Sequence, residues 1–215
     1  MEMERFCMTQ DVIQQSNEWF AARLGKVTAS RVADVIAKTK TGYSASRDNY
    51  MAQLICERLT GQKGESFTNA AMEWGTQTEP LARSAYENSR NVMVKEVGFI
   101  NHPRIEMAGA SPDGLIGDGE GVLEIKAPQT ATHLDTLLAG KVPSKYIPQI
   151  QFQMLCTGAK WADFVSYDPR LPEHLQLFVQ EVEFDQEYCA MLEKEVTQFL
   201  AELDSKVAKL KEKYE

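Results

Sequence analysis

The spacing of apolar residues changes along this 215-residue chain, and this change restricts the fold more than any other feature. Up to about residue 88, apolar positions recur every three or four residues, as on one face of a helix. Residues 92–126 instead form short stretches rich in β-branched residues, separated by Gly, Asn, Pro and Asp, which is typical of strands and turns. Helix-like and strand-like segments then alternate. This order predicts an α/β (or α+β) protein with a central mixed β-sheet flanked by helices.

The individual elements are predicted from local patterns. Thr28-Ala29-Ser30 offers caps for a helix that continues through Val32, Val35 and Ile36. Further helices are predicted at residues 47–59, 69–88, 129–138 and 145–157, and strands at 92–100, 105–110, 122–126, 161–167 and 175–184. An amphipathic helix is predicted at about 185–212. Because the chain contains no repeat and no Pro/Gly-rich linker, we expect a single domain over residues 1–215.

Composition restricts the possible functions. The formal net charge of −8 argues against non-specific nucleic-acid binding, unless Lys and Arg gather in a groove or hole inside an acidic shell. No apolar run approaches the roughly 20 residues of a membrane helix, and Met-Glu-Met-Glu-Arg is no secretory signal, so we expect a cytoplasmic protein. The four cysteines include no C-x-x-C pair, which disfavours zinc and iron–sulfur sites and predicts free, mostly buried thiols.

One stretch carries most of the chemical information. Ser111-Pro112-Asp113-Gly114 predicts a turn, and the strand that follows it contains Glu124 and Lys126. Side chains alternate along a strand, so Glu124 and Lys126 should point to the same face. Two strands joined as a hairpin would bring Asp113 alongside Glu124.

This arrangement suits metal-assisted hydrolysis of a phosphodiester. Two carboxylates and a backbone carbonyl are hard oxygen ligands, of the kind that Mg²⁺ and Mn²⁺ prefer. A lysine beside the attacking water can orient it and offset charge that develops on phosphorus. Each motif alone is also common in ordinary structure, since P-D-G is a frequent turn and E-x-K an ordinary exposed pair on a strand. The two motifs by themselves therefore leave both interpretations open.

The two motifs together resemble the PD-(D/E)xK nuclease superfamily, and the chain from about residue 17 to 184 resembles the phage lambda exonuclease (alkaline exonuclease) family. The residues that carry the resemblance are Trp19-Phe20-Ala21-Ala22-Arg23-Leu24-Gly25, Thr28-Ala29-Ser30, Glu73-Trp74-Gly75 with Glu79, Ser111-Pro112-Asp113-Gly114, Leu123-Glu124-Ile125-Lys126, Tyr146 with Gln149 and Gln151, and Tyr167-Asp168-Pro169-Arg170. The resemblance implies a restriction-endonuclease-like PD-(D/E)xK core.

The resemblance also implies a set of metal ligands. Asp113 and Glu124 match the family's metal-binding carboxylates, and Ile125 would contribute its main-chain carbonyl. Glu79 matches a helical glutamate that completes the metal shell or holds a metal-bound water, although its plainer interpretation is an exposed helix residue. The implied cofactor is Mg²⁺, which Mn²⁺ can replace, with two ions per active site.

Other matched residues would act on the water and the DNA. Lys126 would position or activate the attacking water, and Gln149 would lie near that water. Tyr146 would lie close by, in contact with DNA. Met72 falls where the family carries an apolar side chain that wedges between the strands at the duplex end, although a helical Met is more often a core residue.

Two further groups would bind phosphates. Arg23 matches a pocket arginine for the 5′-terminal phosphate, which a guanidinium grips with two hydrogen bonds. Ser30 and Ser111 would add hydroxyl donors to that pocket. Lys38 and Lys40 lie where the family reaches towards the DNA groove, and they would supply charge to the DNA backbone. A loop with two lysines is more commonly only solvated.

The activity that the resemblance implies is processive 5′→3′ digestion of double-stranded DNA from its ends. The products would be 5′-mononucleotides and a 3′ single-stranded tail for recombination by strand annealing. The implied assembly is a homotrimeric ring, whose channel can be basic while its rim is acidic. The implied partner is a single-strand annealing recombinase, and the implied setting is a phage or prophage protein in a bacterial host.

Two other functions are compatible with parts of this pattern. An endonuclease of the same superfamily would share the catalytic residues, but a 5′-phosphate pocket around Arg23 serves only an enzyme that acts at ends. A non-catalytic DNA-binding protein could keep the fold, but the intact Asp–Glu–Lys set argues against it. Serine, cysteine and zinc hydrolases are disfavoured, because the three histidines belong to no H-E-x-x-H or Cys–His signature and the chain has no G-x-S-x-G.

Overall fold

Helices and strands follow one another largely in the predicted order. The computed structural model describes residues 13–64 and 70–214. The α-helices in these ranges are α1 Asn17–Arg23, α2 Val32–Ile36, α3 Ala45–Thr60, α4 Ala70–Arg90, α5 Thr130–Ala139, α6 Ile147–Thr157 and α7 Gln186–Tyr214. The strands are β1 Val27–Thr28, β2 Lys38–Thr39, β3 Gly42–Tyr43, β4 Val94–Lys95, β5 Ile100–Asn101, β6 Ala108–Ala110, β7 Gly114–Ile116, β8 Gly121–Lys126, β9 Trp161–Tyr167 and β10 Leu177–Glu183. Asn69, the predicted start of α4, lies outside the described residues.

A five-stranded mixed sheet has the strand order β10-β9-β8-β7-β4. Strands β8 and β9 are parallel, and the other neighbouring pairs are antiparallel. A parallel pair needs a long crossover connection, which α5 and α6 provide between β8 and β9. The predicted mixed sheet with flanking helices is confirmed.

Helices α4 and α6 cover opposite faces of this sheet. Leu123 and Ile125 of β8 pack with Tyr86 of α4, whereas Val122 packs with Ile150 of α6. Because strand side chains alternate between faces, the even-numbered residues of β8 point towards α6. The side chains of Glu124 and Lys126, predicted to share one face of the strand, therefore both lie on the face that α6 covers.

The predicted strand at 92–100 consists of two strands in different sheets. Strand β4 pairs with β7 in the large sheet, whereas β5 pairs with β6 in a three-stranded sheet of order β1-β6-β5. Close packing restricts β6 to glycine at position 109, since a Cβ atom there would lie 2.3 Å from the Phe99 ring and 2.5 Å from the Ile100 carbonyl oxygen. The sequence pattern does not predict the β2–β3 hairpin, because its two short segments lack apolar alternation.

The predicted C-terminal amphipathic helix is confirmed as α7, which packs against α2, α3 and α6. Its buried residues are Cys189, Leu192, Val196, Phe199, Leu200 and Leu203. Their helical spacing forms one apolar stripe that faces the core. None of the described residues after Leu203 is buried.

Three of the four cysteines lie in the described residues. Cys156 and Cys189 are buried, Cys56 is exposed, and all three are free thiols. Cys7 lies outside the described residues. Within residues 13–64 and 70–214, no helix is both long enough and apolar enough to cross a membrane.

Candidate active site

The β7–β8 hairpin brings Asp113 beside β8. Gly114 pairs with Leu123 across the hairpin, and the Asp113 N–H donates to the Leu123 carbonyl oxygen at 3.1 Å. The Asp113 Oδ2 accepts a hydrogen bond from the Ile125 N–H at 2.6 Å. The main chain of β8 therefore fixes the carboxylate next to the segment that carries Glu124.

Glu124 is almost completely buried, with 1% of its surface exposed. Its Oε1 accepts a hydrogen bond from Gln149 Nε2 at 2.6 Å, and its Oε2 accepts one from Gln153 Nε2 at 2.5 Å. The Lys126 ammonium forms an ion pair with Oε1. A buried carboxylate needs such partners because it has lost its hydration. Glu124 is therefore in direct contact with both Lys126 and Gln149, the two residues that the family resemblance assigns to the attacking water.

The cluster contains more negative than positive charge. Burial, together with the nearby Glu124 and Glu79 carboxylates, raises the pKa of Asp113 well above its ordinary value, against the opposing effect of Lys126. Burial alone would lower the pKa of Lys126, but Glu124 and Asp113 outweigh it and raise that pKa. The ammonium therefore stays charged while the carboxylates repel one another.

Glu79 of α4 lies close enough to interact electrostatically with this cluster. Burial raises its pKa, Glu124 and Glu96 raise it further, and Arg83 opposes them. Its Oε1 accepts a hydrogen bond from Arg83 at 2.6 Å, and Arg83 also pairs with Glu96 at 2.6 Å. Glu79 is thus close enough to affect Asp113 and Glu124, but its own hydrogen bond goes to an arginine on its helix.

The donor chemistry of the cluster fits a divalent cation. Carboxylate and main-chain oxygens, here from Asp113, Glu124 and the Ile125 carbonyl, are ligands that Mg²⁺ accepts. A cation would also offset the repulsion that raises the pKa of Asp113. Over the described ranges, no three His, Cys, Asp or Glu side chains are grouped closely enough to hold a metal ion. Any such site therefore needs main-chain or water ligands beside its carboxylates.

Tyr146 lies at the edge of the cluster, in the 3₁₀ turn before α6. Its ring centroid is 5.4 Å from Lys126 Nζ and 4.8 Å from Lys145 Nζ. The ring stacks on Phe164 with centroids 5.4 Å apart. Its position beside two cations is fixed by this aromatic contact.

A second feature is a cavity of about 520 Å³ between α1, α3 and the start of α4. It brings together three residues that the sequence singles out, Arg23, Ser30 and Met72. Met72 is 57% exposed, so it is not a core residue. The other cationic residues of the lining, which sequence analysis did not select, are Lys26, Arg31 and Lys63.

Arg23 is held in a defined orientation. Its guanidinium donates to Ser111 Oγ at 3.1 Å, and the Trp19 indole N–H donates to the same oxygen at 2.8 Å. The guanidinium carbon lies 4.0 Å from the centre of the Trp19 ring. Burial lowers the pKa of Arg23 to about 10, against opposing effects of Tyr50 and Glu57. Arg23 therefore stays cationic at neutral pH.

The other residues predicted to bind phosphate do not all lie together. Ser30 is exposed, and its Oγ lies 3.3 Å from Thr28 Oγ1. Lys38 forms an ion pair with Glu195 of α7 at 2.7 Å. Lys40 lies exposed in the turn between β2 and β3. The structure brings Arg23, Ser30 and Ser111 to one region, whereas Lys38 and Lys40 lie on a separate hairpin.

Two glutamines of α6 differ from the sequence-based expectation. Gln151 belongs to the matched motif, but its amide bonds main-chain groups of residues 183 and 185, at 2.8 and 2.9 Å. Gln153 was not selected, yet it bonds Glu124. Gln153 lies four residues after Gln149, so both side chains lie on one helix face. This spacing is the sequence pattern from which a role for Gln153 beside Gln149 could have been predicted.

The Tyr-Asp-Pro-Arg motif connects the sheet to α4. Asp168 is fully buried and accepts hydrogen bonds from Thr130 Oγ1 at 2.6 Å and Arg170 Nε at 2.7 Å. The Arg170 guanidinium carbon lies 4.4 Å from the centre of the Trp74 ring on α4. The motif thus contacts the helix that also carries Glu79.

Comparison with known proteins gives a family and a close structural neighbour. Residues 18–160 match the YqaJ-like viral recombinase domain. The chain is similar to the crystal structure of an alkaline exonuclease (LHK-Exo) from Laribacter hongkongensis, with 54% sequence identity and a TM-score of 0.86. That similarity covers 92% of this chain and 97% of the other. The structure of LHK-Exo in complex with dAMP gives the same identity and coverage, with a TM-score of 0.87.

A more distant structure shares the fold. A phage-related exonuclease from Haemophilus somnus 129PT is 14% identical, with a TM-score of 0.68 over 86% of this chain and 96% of that chain. The comparison with curated proteins found no match. The matched domain and the 54% identity over nearly the whole chain show that this protein belongs to the YqaJ-like viral recombinase family, as a homologue of alkaline exonuclease with the PD-(D/E)xK fold.

Proposed function

We propose that this protein is a metal-dependent exonuclease that degrades double-stranded DNA from its ends. The observation that carries the proposal is the meeting of Asp113, Glu124, Lys126 and Gln149 at the end of β8. Similarity to an alkaline exonuclease over nearly the whole chain supports nuclease activity.

The carboxylates would hold the metal. Asp113, Glu124 and the Ile125 carbonyl are the proposed ligands, and Glu79 would complete the shell of two ions per site. Bound Mg²⁺, or Mn²⁺ in its place, would supply Lewis-acid stabilisation of the charge that develops on the phosphate. The pairing of Glu79 with Arg83 means that this carboxylate would have to share its oxygens between the arginine and the metal shell.

The neighbouring residues act on the water. Lys126, held against Glu124, donates a hydrogen bond to the attacking water and offsets negative charge as the bond to phosphorus forms. Gln149 bonds the same carboxylate and orients that water from the α6 side. Tyr146, beside Lys126, contacts the terminal nucleotide.

The cavity at α1 would bind the end of the digested strand. Arg23 and Ser111 are already in contact, and with Ser30 they would bind the 5′-terminal phosphate. Met72, exposed in the same lining, would wedge between the two strands at the duplex end. Further phosphate contacts would come from the β2–β3 hairpin, through Lys38 and Lys40.

The complete activity that we propose is processive 5′→3′ digestion, which releases 5′-mononucleotides and leaves a 3′ single-stranded tail. The complex of LHK-Exo with dAMP, a deoxynucleoside monophosphate, supports this product class. A homotrimeric ring would keep DNA in a basic channel despite the net charge of −8. A single-strand annealing recombinase would bind the tail, in the cytoplasm of a bacterium that carries the phage or prophage.

The test uses linear duplex DNA labelled at the 5′ or the 3′ end, with and without a 5′ phosphate, beside a closed circular duplex. In Mg²⁺ we expect early loss of the 5′ label as mononucleotide, faster digestion of phosphorylated ends, and an intact circle. Early loss of the 3′ label would contradict the polarity. Nicking of the circle would favour the endonuclease, and no cleavage in Mg²⁺ or Mn²⁺ would favour a DNA-binding protein.

A further inference from the structure

Gln153 contacts the proposed metal-binding carboxylate from the buried side. It lies one helical turn after Gln149 on α6, and each glutamine donates to a different oxygen of Glu124. Gln149 bonds Oε1 at 2.6 Å and Gln153 bonds Oε2 at 2.5 Å. The carboxylate is therefore held at both oxygens by one helix.

Packing does not explain a glutamine at this position. Gln153 is fully buried, with 0% exposure. Within the part of the chain that the structure describes, its Oε1 has no hydrogen-bond partner. An unpaired buried acceptor destabilises a fold, and a methionine would fill a similar volume without leaving such an atom. The hydrogen bond to Glu124 is what the amide provides.

Two donors on two oxygens restrict the carboxylate to one orientation. The terminal torsion of a glutamate side chain has a broad energy minimum, so a single hydrogen bond leaves its plane free to turn. Outer hydrogen bonds to a ligating carboxylate fix its direction and influence metal affinity. With Gln153 and Gln149 both in place, the plane of the Glu124 carboxylate is set before a metal or substrate arrives.

We propose that Gln153 is a positioning residue, which fixes the Glu124 carboxylate for metal binding and acts on the reaction only through Glu124. This inference rests on the proposed function of the cluster. It adds a residue that the motifs of the sequence do not contain, and it predicts a defect in metal binding and turnover without a defect in DNA-end binding.

The main test is Gln153→Met, which keeps the side-chain length and removes the donor. We expect kcat on linear duplex to fall about 10- to 100-fold, the usual effect of removing an outer partner of a metal ligand. The KM for DNA ends should stay the same. Binding of Mn²⁺ to the DNA-free protein, measured by calorimetry, should weaken by a similar factor.

Two further variants separate positioning from packing. Gln153→His keeps a ring N–H of similar reach, so it should recover part of the lost kcat and Mn²⁺ affinity. Gln151→Met is the matched control, because Gln151 is a buried amide on the same helix and, among the described residues, its side chain bonds main-chain groups and the Cys189 thiol but not Glu124. It should lower the melting temperature while kcat and Mn²⁺ affinity stay unchanged.

The results distinguish failure of the positioning role from failure of the proposed function. Equal losses in Gln153→Met and Gln153→His, or kcat and Mn²⁺ affinity unchanged in a folded Gln153→Met, would overturn the positioning role. A wild-type protein with no metal-dependent cleavage would instead overturn the proposed function. The wild-type activity, measured in the same experiment, distinguishes these two failures.

Discussion

Arg23, which lines the α1 cavity, is held in its orientation by neighbouring side chains. Trp19 donates to the Ser111 hydroxyl and lies against the Arg23 guanidinium. The hydroxyl oxygen already accepts from both donors, and its own proton is left for another acceptor. An incoming phosphate would therefore meet two prepared donors, from Arg23 and from Ser111.

Replacement of Arg23 by Ala should remove the preference for 5′-phosphorylated ends. A hydrogen bond to a charged group contributes about 1.5–3 kcal/mol, so the ratio of rates on phosphorylated and hydroxyl ends should fall about 10- to 100-fold. Initial rates on matched duplexes measure this ratio. Arg104→Ala is the control, because Arg104 is exposed, pairs with Glu193 and does not line the cavity. An unchanged ratio in Arg23→Ala would rule out the phosphate contact.

The segment after β9 contacts α4 through Arg170. Burial alone would raise the pKa of Asp168, but hydrogen bonds from Arg170 and Thr130 outweigh it and lower the pKa from 3.8 to about 2. Arg170 in turn stacks on Trp74 of α4. The ionised Asp168 is therefore the centre of a contact between the segment after β9 and α4, the helix that carries Met72 and Glu79.

Asp168→Asn should destabilise the protein in a pH-dependent way. Since the pKa is depressed in the folded state, the carboxylate contributes stability above its unfolded pKa of about 3.9 and loses it as the pH falls towards about 2. We expect a loss of about 2 kcal/mol in the free energy of unfolding at pH 7, shrinking between about pH 4 and pH 2. Urea denaturation of both proteins across this pH range measures the loss in free energy of unfolding. The exposed Asp118→Asn is the control, and a loss independent of pH would contradict the pairing.

Local periodicity explains which elements the sequence predicts well. The apolar stripe of α7 continues over many turns, so its helix is predicted within a few residues. Asp113, Glu124 and Lys126 are predicted because strand alternation and a hairpin are local geometry. The division of residues 92–100 between two sheets depends on which strands pair, β4 with β7 and β5 with β6, and no local pattern encodes that choice.

The site residues that sequence analysis missed depend on tertiary packing. Gln153 becomes important only because α6 places that helix face against the even-numbered residues of β8. Lys26, Arg31 and Lys63 become part of one cavity only when α1, α3 and α4 meet. The family resemblance, in contrast, implies a common pocket for Arg23, Ser30 and Ser111 without knowledge of any tertiary contact.

The net charge of −8 is compatible with the proposed DNA substrate because the cations are unevenly distributed over the molecule. Four of them line the α1 cavity, namely Arg23, Lys26, Arg31 and Lys63. Local positive potential, rather than net charge, determines where a phosphate backbone binds. The cavity is therefore where we expect the DNA end to enter.

We propose that the Asp113–Glu124–Lys126 cluster performs the hydrolysis. Its most direct test is single-turnover release of the 5′-terminal nucleotide from linear duplex by wild type, Lys126→Ala and the exposed control Lys160→Ala, with Mg²⁺ or EDTA. We predict that EDTA stops wild type, that Lys160→Ala equals wild type, and that Lys126→Ala is slower by about 10²- to 10³-fold or more while DNA-end affinity is unchanged. Wild-type rates in a folded Lys126→Ala protein would rule out a catalytic role for Lys126.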